Sequence, residues 1–163
     1  MASIQSILAI GALVIFSIIS LLFNSSVLQN TTIEVEDKVY LTAFSLADDL
    51  VEEMKQKAFD ERTVDFQAIN KVQLTPYVSF GPDGTETWPG YNDIDDYNGY
   101  KDTINTLPIA EGYVVQCDVN YCDATGSITI NQDYYKKVTI TVTSDYLRDP
   151  FQMYFIFSLH SKN

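Results

Sequence analysis

The first 33 residues carry no charged side chain, and within them residues 7–23 read ILAIGALVIFSIISLLF. A helix rises ~1.5 Å per residue, so about 20 such residues cross a ~30 Å hydrocarbon layer. A run apolar on every face needs apolar company around its whole circumference. In a chain of 163 residues that company has to come from lipid or from other chains.

Three ordinary explanations fit poorly. A secretory signal has a basic start and a small-residue cleavage site, yet no Lys or Arg precedes Ile7 and no A-x-A follows Phe23. A plain membrane anchor usually carries Lys or Arg on its cytoplasmic flank, and neither flank has one here, so the expectation is that a basic leader has already been removed. The buried core helix of a soluble protein would need more partner chain than is left. Apolar company from lipid or from copies of itself is what remains.

All ten Lys and Arg and all 22 Asp and Glu lie at or after Glu34, so the whole net charge of −12 belongs to the remainder. That remainder repels phosphate backbones and anionic lipid surfaces, and no nucleic-acid partner is expected. Its length suits one small domain beyond the apolar segment.

Asn24, Ser25 and Ser26 follow the apolar run. All three compete for backbone hydrogen bonds, which marks them as a point where the helix melts. Asn24-Ser25-Ser26 and Asn30-Thr31-Thr32 also match the N-x-[ST] glycosylation pattern, although polar residues leaving a membrane zone explain them more simply. Further on, Val39, Ala43, Leu46, Ala47, Leu50, Met54 and Ala58 recur at three- and four-residue steps, with acidic and basic residues between them. The expectation is a long helix over residues 1–60, apolar over 1–30 and amphipathic over 31–60.

Residues 61–163 are expected to form a β-rich head. Residues 76–108 hold four of the five prolines and four of the seven glycines, and read as an irregular loop. Strand patterns follow at 112–119, 137–143 (KVTITVT) and 152–159, with a weaker one at 127–130. A lone small sheet needs cover, so the expected fold is α+β, with an antiparallel sheet lying on the amphipathic half of the helix.

Cys117 and Cys122 stand in a C-x4-C arrangement without a second Cys or His pair, so zinc-ribbon arithmetic fails for lack of ligands and a local disulfide is expected in an exported domain. The acidic stretch YNDIDDYNGY, residues 91–100, reads as a solvated loop rich in Asx turns. Calcium is its functional alternative, held by Asp93, Asp95 and Asp96, although the spacing departs from an EF-hand. The chain's single His, His160, stands three residues from the C-terminus as a strand-end or surface residue. With no phosphate loop and no nucleophile motif, nothing assembles a catalytic constellation, and the chain is not expected to be an enzyme.

An uncharged apolar start, a long amphipathic helix and a small β head resemble a mature type IV pilin or pseudopilin along the whole chain. The run LADDLVEEMKQKAFDERTV (46–64), then DIDDYNGY and KVTITVT, is similar to prepilin-type surface proteins of some Gram-negative bacteria. The resemblance implies cleavage by a prepilin peptidase to leave a methylated Met1. It also implies storage in the inner membrane and assembly by ATP-driven machinery into an extracellular homo-oligomeric filament. Its assembly residues would be Met1, Gln5, Gly11, Ala12 and Phe16. Family members usually carry Glu at the fifth position to pair with a neighbour's N-terminal amine. Gln5 can hydrogen-bond that amine without neutralising it, which weakens the bond roughly twofold and leaves registry to packing. The departure keeps two alternatives open: a minor pseudopilin of a secretion system, or a monomeric membrane-anchored domain.

Overall fold

The computed structural model describes residues 2–64, 70–105 and 112–159. Met1 and His160 lie outside them. The chain divides into two compact units, one ending at Lys38 and one beginning at Val39.

The first unit is helical over all of its described residues. Helix α1 spans Ala2–Met54, 53 residues, and passes through Asn24, Ser25 and Ser26 without a break. The melt expected there is absent, and the reason is energetic. Three mediocre helix formers cost about 0.5 kcal/mol each, less than opening the ladder and nucleating a second helix. Nearby hydroxyls find acceptors inside the helix: Ser17 Oγ donates to the Leu13 carbonyl at 2.8 Å, Thr31 Oγ1 to Val27 at 2.8 Å and Thr32 Oγ1 to Leu28 at 3.0 Å.

The second unit is an α+β head. Its sheet has the order β1-β2-β4-β5 (β1 Lys101–Ile104, β2 Tyr113–Cys122, β4 Tyr135–Thr143, β5 Phe151–Ser158), with the short β3 (Ile128–Thr129) also paired to β2. All pairings are antiparallel, and Cys117 stands opposite Ile140 and Val138 opposite Phe155. Three expected strands and the weaker fourth are present. The extra strand, β1, sits inside the segment read as loop.

Alternation puts Tyr113, Val115, Cys117 and Val119 of β2, and Val138, Ile140 and Val142 of β4, into one core. Ala43, Ala47, Leu50, Val51 and Met54 of α1 belong to the same core. Each large aliphatic side chain buried there contributes about 1.5–3 kcal/mol. The small Ala43 and Ala47, both wholly buried, let helix and sheet approach closely. The phenol of Tyr113 donates to the Val39 carbonyl at 3.2 Å, and the Phe44 and Phe151 rings meet edge to face at 6.2 Å.

The helix stops at Met54 rather than near residue 60. Ala58 instead forms an isolated parallel bridge with Asp93, its amide on the Asn92 carbonyl and its own carbonyl accepting from Ile94, both at 3.1 Å. That bridge carries the acidic run of residues 91–97 into the head.

Candidate functional site

Two regions hold chemistry beyond ordinary packing. The first is the apolar part of α1, long and apolar enough to cross a membrane, with a mean hydropathy of 2.7 and none of that stretch buried. From Ile4 to Phe23 thirteen large apolar side chains are each more than half exposed, among them Phe16 at 69% and Phe23 at 71%. They cover every face of the helix, a contiguous apolar surface of the kind that marks a membrane or protein contact. Gln5 and Ala12 are exposed, and at Gly11 an added Cβ would meet nothing within 4 Å.

The second region is inside the head. Asp93, Asp95 and Asp96 are not on a solvated loop: all three are buried, as is Asp60. The cation among them is Lys136, at position two of β4, whose side chain is wholly buried. Its Nζ donates to Asp60 Oδ2 at 2.9 Å, to the Phe59 carbonyl at 2.8 Å and to Asp95 Oδ1. The rings of Phe59, Phe80 and Tyr121 stand 4.7, 4.8 and 5.4 Å from the same nitrogen. Three acceptors for three N–H bonds, closed off by aromatic faces, make a dry cage for an ammonium.

The carboxyls differ in state because their partners differ. Burial pushes Asp60 up, but Lys136 and hydrogen bonds from the Arg62 and Thr75 amides prevail, so it stays below its ordinary value. Asp60 also accepts from the Thr75 hydroxyl at 2.9 Å and the Tyr121 hydroxyl at 3.0 Å. Burial drives Asp95 to about 6 despite the opposing pull of Lys136. Asp93, buried and facing the charges of Asp95 and Asp96, rises to about 9 and holds its proton at neutral pH. Asp96 Oδ2 accepts from the Asn92 amide at 2.9 Å, and Asp93 Oδ1 from the Asp96 amide at 3.1 Å.

Of the three aspartates expected as calcium ligands, Asp95 meets Lys136 through Oδ1, Asp96 and Asp93 accept from backbone amides, and Oδ2 of Asp93 and of Asp95 has no hydrogen-bond partner. Among the described residues no group of three acidic, His or Cys side chains is placed to hold a metal ion.

The disulfide is not formed: Cys117 and Cys122 are both free and buried. They lie five positions apart on β2, an odd number, so their side chains leave opposite faces about 16 Å apart along the strand. A disulfide needs its Cα atoms within about 7 Å.

Sequence reasoning passed over Lys136, Asp60 and Tyr121. The available signal was parity, since extending KVTITVT back by one residue places Lys136 on the inward face with Val138 and Ile140. No family model, curated protein or solved structure matches the chain.

Proposed function

We propose that this chain is the structural subunit of an extracellular filament of the type IV pilin kind, a homo-oligomer held together by its apolar N-terminal helices. The observation that carries this reading is the ring of thirteen exposed apolar side chains on α1, in a chain whose head already has a complete core of its own. Such a helix is stored in a membrane and leaves it only for an equally apolar environment. A bundle of like helices provides one, and head-to-tail addition propagates without closing. Lipid contacts are traded for protein contacts while the acidic heads stay in water.

The same helix also supports a second reading, a monomeric domain anchored in a membrane, because its length and hydropathy suffice for one crossing. Electron microscopy of the purified full chain after detergent removal separates the two. Regular filaments support the subunit reading, whereas persistently monomeric protein in vesicles or nanodiscs overturns it in favour of the anchor.

A further inference from the structure

We propose that Lys136 and Asp95 become joined in the folded head by an intramolecular isopeptide bond, formed between Lys136 Nζ and Asp95 Cγ with loss of one water, while Asp93 relays the proton.

The reacting pair is in place: Lys136 Nζ lies against Asp95 Oδ1, and both side chains are buried. The neighbours divide the work. Asp60 cannot be the acceptor of choice, since its two oxygens are covered by the Arg62 and Thr75 amides, the Thr75 and Tyr121 hydroxyls and Lys136. It is a fixed anion that orients the amine. Asp95 is left open by comparison, its Oδ2 buried and without an N–H or O–H donor. Asp93 Oδ2 is likewise buried and without a partner, and the two carboxyls lie close enough for each to influence the other's charge. Burial beside the charges of Asp95 and Asp96 keeps a proton on Asp93, available for relay.

The step balances without an outside reagent. The step begins as Lys136 passes one proton to Asp95 along their contact, giving an amine and a carboxylic acid. The amine nitrogen then adds to Cγ of Asp95. As the C–O bond breaks, Asp93 gives its proton to the departing hydroxyl and takes one from the nitrogen, so water leaves and Asp93 is restored. One cation and one anion are replaced by an amide, and the net charge of the chain is unchanged. Fixed proximity replaces the activation that such a condensation needs in solution, and removal of a buried ion pair relieves its desolvation cost. The product would close the chain between β4 and the turn Asp95–Tyr97 into a covalent loop.

The test is a peptide map of the folded full chain. The expected result is a branched peptide joining the Asp95 and Lys136 segments, lighter than their sum by one water, and its loss in Lys136→Arg and Asp95→Ala. Asp93→Asn, with native circular dichroism, is expected to fold and remain unlinked. Only linear peptides from the wild-type chain, or a branch from Lys136 to Asp60, would overturn the proposal. Complete linkage in Asp93→Asn would overturn the role given to Asp93. The wild-type map decides the bond even where a variant fails to fold.

Discussion

The hydroxyl of Tyr97 donates a 2.6 Å hydrogen bond to Glu53 Oε1, tying the end of the acidic run to the last turn of α1. Burial and this acceptor both raise the phenol's pKa, so the ring stays neutral and donating. Glu53 also receives the Trp88 indole N–H at 3.2 Å. Tyr97→Phe keeps the ring and removes only the donor. The expected cost is about 1.5–3 kcal/mol, the range for a bond to a charged acceptor, read as a lower urea midpoint.

Charge on the apolar helix should separate assembly from folding. Gly11→Asp or Ala12→Glu places an ion where every neighbour in a bundle is apolar, at a cost of about 2.5–3.5 kcal/mol per subunit on insertion scales. Electron microscopy should find no filaments, while the near-ultraviolet circular dichroism of the head is unchanged. Filaments of normal length from either variant would sink the helical-core reading.

The head should be most stable in mild acid. Asp60, held below its ordinary 3.8, stabilises above that value and loses its contribution as pH falls through its lowered pKa. Asp93, raised from 3.8 to about 9, works in the opposite sense: its contribution is complete below 3.8 and is lost as pH rises toward 9. Asp95 and Asp96 reinforce that rise and Lys136 opposes it, but burial is the largest cause and fixes the sign. Urea midpoints of the full chain in detergent should be higher at pH 5 than at pH 8, and Asp93→Asn should flatten the alkaline decline.

The cysteines should behave as inert core residues. Burial raises both thiols above their ordinary 9.0. Neither should react with iodoacetamide in the native state, both should react in urea, and dithiothreitol should leave the melting temperature unmoved. A melting temperature that falls on reduction would show a covalent pair.

The sequence was most legible where one period ruled. The 3.6-residue recurrence of Ala43, Ala47, Leu50 and Met54 and the alternation of Val138, Ile140 and Val142 led directly to a helix and a strand sharing one core. It was least legible where a polar residue occupies an apolar place. Lys136 follows the inward parity of β4, yet a lysine there is tolerable only because Asp60, Asp95 and three rings meet it, and those partners come from distant segments. The burial of Asp93, Asp95 and Asp96 was hidden for the same reason, since a run of carboxylates reads as surface until its cation is found. Strand β1 escaped notice because KDTI is short and charged, and it borrows its order from β2. At Asn24, Ser25 and Ser26 local propensity pointed to a melt, and the cooperativity of a 53-residue helix overrode it.

The bridge between Ala58 and Asp93 sets where solvent can first enter. The amides of Ala58 and Ile94 are both engaged across it, joining the exit of α1 to the acidic turn. Neither can meet deuterium until that junction opens, and two partners of Lys136, Phe59 and Asp95, each stand one residue beyond it. Isotope uptake at these two amides therefore serves as a clock for the opening of this junction, one that fraying strand edges cannot start.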